Sequence, residues 1–256
     1  MRIVVTGGTG VLGRAVAANA RSCGHDVVTV SRREAPAVPG IVHRRADLVT
    51  GDGLDAALAG ADAVIDATNT MRGAKALLVG GTQRLLETAM RVRAKHVVMI
   101  SIVGIDDAPI AYYRTKVEQE RVIAASRAPW SLVRATQFHD LVAKFASGTG
   151  SFVFAPRRVP LQPVDVGEVA AHLVEIAGRA PAGRLPDFGG PEVRPFDELA
   201  AEWRRITKAR RLVLPLPLFG KTASYLRRGG LCNPGAKCGR RTFGEWLRAQ
   251  VEGGSR

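Results

Sequence analysis

Cysteine is scarce in this chain, with three in 256 residues, at Cys23, Cys232 and Cys238. That is too few for a disulfide framework or for a zinc site of four thiolates. Aromatic residues make up 5%, and in the C-terminal third Trp203, Tyr225 and Trp246 stand singly and far apart among the basic residues. A base-stacking surface for nucleic acid is therefore missing, and no specific nucleic-acid partner is expected. No apolar run approaches the ~18 residues that cross a bilayer. The apolar residues after Met1-Arg2 are too few for a secretory signal. A cytoplasmic protein without a membrane partner is the expectation. Acid is also scarce: 23 Asp and Glu face 37 Lys and Arg, a net charge of +14. Residues 201–256 carry 13 of those cations and only 3 acids. Such a tail suits an anionic cofactor, substrate or partner, or serves solubility alone. What is abundant is ordinary for a globular fold, with 46% hydrophobic and 23% charged residues, and it excludes disorder.

Short β-branched runs alternate with helical spacing through the first two-thirds. Strands are expected at 2–6, 26–30, 41–45, 63–67, 96–101 and 130–134, and helices at 11–22, 54–58, 80–93 and 111–126. This alternation implies βαβ units with right-handed crossovers, hence an α/β doubly wound parallel sheet. Beyond Gln137 the pattern loosens. Helices are expected at 165–177, 196–206 and 242–251, with strands at 184–188 and 211–214. The organisation expected is a dinucleotide-binding core over 1–150 and a small substrate lobe, 151–256, packed on it.

The strongest local signal is Thr6-Gly7-Gly8-Thr9-Gly10-Val11-Leu12-Gly13, which follows the first strand and opens the first helix. Glycines there permit positive φ and let the backbone approach a pyrophosphate, while the helix N-terminus offers free N–H groups. Gly7, Thr9, Gly10, Val11, Leu12 and Gly13 are thus candidate cofactor contacts. An NAD site places an acid at the end of the second strand. Here that strand runs into Ser31-Arg32-Arg33, which suits a 2′-phosphate, so NADP(H) is the cofactor expected, with Ser31 adding a hydroxyl donor. Asp47, beside Leu48, is placed to accept from the adenine amino group or to cap a helix. Ala67, Thr68 and Asn69 end the fourth strand beside the adenosine ribose.

Tyr112 and Lys116 form Y-x-x-x-K on a helix, one turn apart on one face. A lysine there is expected to lower the phenol pKa from ~10 and to hold the nicotinamide ribose. Tyr112 is then the proton donor to a carbonyl oxygen, and Ser101 polarises that oxygen. Gln137 and Phe138 follow the sixth strand, with Phe138 either stacking near the nicotinamide or packing in the core. His139 either faces the substrate or is structural. Cys232 and Cys238 read as ordinary thiols, and no metal site is expected.

Together with Ser101-Ile102-Val103-Gly104, Arg134-Ala135-Thr136-Gln137-Phe138-His139 and Gln162-Pro163-Val164-Asp165-Val166, these motifs resemble the atypical short-chain dehydrogenase/reductases, in their NAD(P)H-binding, NmrA-like branch. The resemblance implies an extended Rossmann fold, bound NADP(H), and catalytic roles for Ser101, Tyr112 and Lys116. The function expected is an NADPH-dependent reductase acting on a small carbonyl or activated double bond. The alternatives are an NADP(H)-sensing regulator without turnover and an epimerase or dehydratase that uses the cofactor transiently.

Overall fold

The structure is a computed structural model that describes residues 1–148, 152–236 and 238–253. In chain order its strands are β1 (Arg2–Thr6), β2 (Asp26–Ser31), β3 (Ile41–Arg45), β4 (Ala63–Asp66), β5 (His96–Ile102), β6 (Trp130–Ala135), β7 (Phe152–Pro156), β8 (Pro160–Leu161), β9 (Gly183–Arg184), β10 (Arg194–Pro195) and β11 (Leu212–Leu216). Its helices are α1 (Val11–Ser22), α2 (Leu54–Leu58), α3 (Thr82–Arg91), α4 (Ala111–Ala125), α5 (His139–Ser147), α6 (Val166–Ala177), α7 (Phe196–Thr207), α8 (Gly220–Arg227) and α9 (Phe243–Gly253).

The β-branched runs do form a seven-stranded parallel sheet, in the order β3-β2-β1-β4-β5-β6-β9. Its strands read as continuous Val and Ile runs because helices cover both faces. Strand order reverses between β1 and β4, whose register pairs Thr6 with Asp66. The carboxyl ends of these two strands are therefore where a doubly wound sheet opens its crevice. The seventh strand, β9, is shorter than the strand expected at 184–188.

Three helical elements depart from the expected pattern. The helix expected at 80–93 begins earlier, as a π-helical turn over Lys75–Gly81 that runs into α3. Its glycines disguised it: a Cβ on Gly81 would lie 3.2 Å from the Leu48 side chain. Helices α5 and α8 occupy stretches with no expected helix, because each is short and gains its stability from tertiary packing rather than propensity.

The chain forms two compact units. The first comprises Met1–Ser101, Ala111–Val133 and Gly167–Leu185, and the second Ile102–Ile110, Arg134–Val166 and Pro186–Arg256. The core of the first joins Val4, Val28, Val64 and Val97 from the sheet to Leu54, Leu85, Leu86 and Ile123 from the helices. In the second, Val153 and Ala155 of β7 pack with Val142 and Ala146 of α5, Phe196 and Leu199 of α7, and Phe243 and Trp246 of α9.

Candidate active site

The glycines after β1 divide by what surrounds them. Gly7 has φ +68°, and a Cβ there would sit 2.7 Å from the carbonyl of Ala67. Gly8 would place its Cβ 2.6 Å from that of Thr29, and Gly13 would drive its own into the Gly7 carbonyl. These three allow strand, turn and helix to close on one another. Gly10 is different: a Cβ there meets only the Gly7 oxygen, at 3.2 Å, so its outer side is open. Gly10 is also the N-cap of α1, without a side-chain cap and with no acid in the first turn. The N–H groups of Val11, Leu12 and Gly13 are orphan donors of a helix start and carry its positive dipole end. Thr9, Gly10 and the apolar Val11 are exposed around them.

Across the crevice, β4 ends in a residue the sequence reading passed over. Asp66 is buried, and its Oδ1 accepts from the Thr6 hydroxyl at 2.6 Å, the Thr68 amide at 3.0 Å and the Thr68 hydroxyl at 2.7 Å. A carboxylate in a strand of otherwise apolar residues was the signal available for it. The grip sets the Ala67–Thr68 backbone against which Gly7 packs. It also commits the Thr68 hydroxyl to Asp66.

At the end of β2, the Ser31 hydroxyl donates to the Arg33 carbonyl at 2.6 Å. The expected hydroxyl donor to a phosphate is therefore spent on the turn. His43, paired with Thr29 in the β2–β3 register, completes this corner. Its Nδ1 lies 3.1 Å from the Thr29 hydroxyl and its Nε2 lies 3.0 Å from the Arg33 carbonyl. The side chains of Arg32 and Arg33 remain exposed, as do those of Arg44 and Arg45. Asp47 accepts the Val49 amide at 2.7 Å and so closes a turn and caps no helix, the N-cap of α2 being Gly53, while Leu48 is buried in the first unit's core.

The catalytic candidates come from β5 and α4. Lys116 is 3% exposed. Its ammonium donates to Gln119 Oε1 at 2.6 Å and to the Ile100 carbonyl at 3.2 Å. Gln119 in turn donates to the Thr82 hydroxyl at 2.8 Å. Burial lowers the Lys116 pKa to about 8, against the opposing pull of Asp66 and Glu120. Tyr112 donates its hydroxyl proton to Asn69 Oδ1 at 2.6 Å. Burial raises its pKa above the ordinary phenol value, which reverses the expected lowering by Lys116. The reason is geometric: the ammonium points to Gln119 and Ile100, leaving desolvation to dominate the phenol. Ser101, next to Ile100, is buried, and its hydroxyl has no partner among the described residues.

The three candidates after β6 belong to the second unit and are held within it. Gln137 donates to the Leu231 carbonyl at 2.7 Å and accepts from the Gln162 amide at 3.0 Å, so its amide is spent on the scaffold. Phe138 bridges to Val164 and is half-buried at the start of α5. His139 is wholly buried, packed against the stacked rings of Phe243 and Trp246, with centroids at 5.8 and 5.5 Å. Its Nε2 lies 3.0 Å from the Arg241 carbonyl, and burial lowers its pKa to about 4. It is a neutral core residue, not a group presented to a substrate. Thr242, Glu245 and Arg241 around it are exposed or engaged elsewhere, with Arg241 bonded to Asp165 at 3.0 Å.

A family model described as NAD(P)H-binding matches residues 7–178, from the glycine turn to the end of α6. The chain belongs to this NAD(P)H-binding family. A curated relative, the (4-alkanoyl-5-oxo-2,5-dihydrofuran-3-yl)methyl phosphate reductase of Streptomyces griseus subsp. griseus, is 29% identical over 80% of this chain and 73% of its own length. Among solved structures, MoeE5 in complex with UDP-glucuronic acid and NAD aligns with a TM-score of 0.79 at 19% identity, covering 100% of this chain and 99% of that one. The NADPH-dependent quinone oxidoreductase QOR2 of Escherichia coli, complexed with NADPH, aligns at 0.77 and 19% identity, covering 97% and 99%. One feature of the first unit fits a dinucleotide of this family: the open side of Gly10 at a helix N-terminus. The unpartnered Ser101 hydroxyl fits a ligand oxygen, since buried hydroxyls are nearly always bonded.

Proposed function

We propose that this protein is an NADPH-dependent oxidoreductase that reduces a small carbonyl compound or activated double bond. The observation that carries the reading is Tyr112, whose hydroxyl bonds Asn69 just beyond β4 and which stands one helical turn from Lys116. A phenol carries its proton at neutral pH and can donate it as a general acid; burial raises its pKa and makes it a weaker donor, which a cation brought near it would offset. Bound NADPH supplies the hydride. The orphan N–H groups of α1 receive the pyrophosphate at Gly10, and the exposed guanidinium of Arg32 pairs with the 2′-phosphate. The unpartnered Ser101 hydroxyl donates to the substrate oxygen, and Tyr112 protonates it, its ring turned away from Asn69. Lys116, charged below about pH 8, adds positive charge beside the Ser101 backbone. The activity for which the Streptomyces relative is named, reduction of an unsaturated lactone phosphate, supports this substrate class, and the cationic balance of the chain suits an anionic one.

The test is a screen of enones, quinones, aldehydes and phosphorylated lactones with NADPH, followed by loss of the cofactor's absorbance. Turnover with at least one class, lost in Tyr112→Phe, supports the reading. Turnover that survives Tyr112→Phe places the acid elsewhere. One observation favours a second reading. The Lys116 ammonium is already satisfied by Gln119 and Ile100, an arrangement suited to a dinucleotide sensor; tight NADPH binding with no substrate in the screen would select it.

A further inference from the structure

We propose that the second unit docks on the surface of an anionic lipid bilayer through the outer face of its β7–β11 pair. These strands are parallel, with Leu212 opposite Phe152 in register. Parallel strands are covered on both faces in nearly all proteins. Here one face is covered: Val153 and Ala155 pack into the core against α5 and α7. The other is open. Side chains alternate along a strand, so Leu212, Leu214 and Leu216 share a face, and Phe152 stands on it as the register partner of Leu212. All four are exposed, Leu212 by 60%, and Phe219, three residues past β11, is exposed by 83%. Leu214 and Leu216 are exposed by 37% and 39%.

Charge identifies the cover. Residues 204–228 contain eight Lys and Arg and no Asp or Glu. Lys208 and Arg210 precede β11 and Lys221 follows Phe219. All three are exposed, with no ion-pair partner among the described residues. A second copy seated here would set two such cationic segments against each other. Leucine and phenylalanine flanked along the chain by exposed cations match the boundary between acyl chains and anionic headgroups, where apolar burial and surface potential act together. No helix of the described residues is long and apolar enough to cross a membrane, so the association lies on the surface.

The test is flotation of the full chain with vesicles of phosphatidylcholine alone or of equimolar phosphatidylcholine and phosphatidylglycerol. Binding is expected to the anionic vesicles only and to weaken with salt. Each cation near such a surface is worth about a fivefold gain in partitioning. The triple variant Lys208→Glu, Arg210→Glu, Lys221→Glu is therefore expected to lose about 100-fold or more. Leu212→Ser with Phe219→Ser alters only exposed side chains and is expected to abolish flotation with an unchanged circular dichroism melt. Absence of wild-type flotation, equal binding to neutral vesicles, or flotation unaffected by either variant overturns the proposal. A wild-type dimer in sedimentation velocity that the Leu212→Ser, Phe219→Ser variant dissociates also overturns it, assigning the face to a second copy.

Discussion

Asp66 holds Thr68 twice, by its backbone amide at 3.0 Å and by its hydroxyl at 2.7 Å, both on one carboxylate oxygen. The same oxygen takes the Thr6 hydroxyl, so the last residue of β1 and the first turn after β4 are tied at a single atom. Asp66→Ala is expected to leave three buried donors unsatisfied and to cost about 2–4 kcal/mol, read as a fall in the urea midpoint Cm at constant slope. NADPH affinity is expected to fall by about tenfold or more, because the Ala67–Thr68 backbone against which Gly7 packs loses the carboxylate that holds it in place. Asp66→Asn keeps an acceptor and is expected to fall between. Wild-type affinity in Asp66→Ala would make the tie structural only.

Gly10 and Gly13 are expected to fail in opposite ways. Gly10→Val puts its side chain into open space and is expected to stay folded, at a cost of about 1 kcal/mol for a poor N-cap, while losing measurable NADPH binding by calorimetry. Gly13→Ala drives its Cβ into the Gly7 carbonyl and is expected to lose about 1–3 kcal/mol of stability. A Gly10→Val protein that binds NADPH normally would remove the pyrophosphate from this turn.

Tyr112→Phe deletes the proton donor and leaves the ring. With the proposed substrate class, kcat is expected to fall by about 10²–10⁴, with little change in NADPH affinity. Because burial raises the phenol pKa, no loss of the acid is expected on the alkaline side until above pH ~10. A rate limb near neutral pH that vanishes in Tyr112→Phe would contradict this.

Lys116 predicts the pH dependence of stability. Its folded pKa is lowered to about 8 from 10.5, so between those values the unfolded chain holds a proton that the folded chain has released. Stability therefore rises with pH through that window, by at most ~1.4 kcal/mol per unit. Below pH 8 both states are charged and the burial cost is constant. Lys116→Met is expected to flatten this part of the curve, measured as Cm from pH 7 to 10. An unchanged slope would show that Lys116 does not titrate there.

Cofactor choice is tested at Arg32. Arg32→Asp is expected to weaken NADPH binding by ~1.5–3 kcal/mol, the worth of a charge-assisted hydrogen bond, and to leave NADH unaffected or improved. Equal affinity of the wild type for the two cofactors by calorimetry would refute the 2′-phosphate assignment.

What the sequence revealed and what it hid follow one division. The sheet, the glycine turn and the Tyr112/Lys116 pair were legible because each is specified within a few residues: β-branched runs, a positive-φ glycine, a one-turn spacing. Asp66, His43 and Gln119 were passed over because their roles depend on Thr6, Thr29 and Thr82, up to 60 positions away. The surroundings of Gln137 and His139 are set by Leu231 and Arg241, 94 and 102 positions on. The phenol pKa could not be read from the motif because it depends on where the neighbouring ammonium points.

The interleaving of the two units has a consequence for synthesis. The first unit needs Gly167–Leu185, which carries α6 and β9, and the second is threaded between its pieces. A ribosome that has released 150 residues has therefore completed neither unit. Domains generally fold as units, N-terminal first, as they are made. Here the outer edge of β6 stays unpaired until Gly183–Arg184 arrives, so the nascent chain carries an open β-edge while residues 136–182 are made. Pauses or truncations in that interval are the events to which this fold is most exposed.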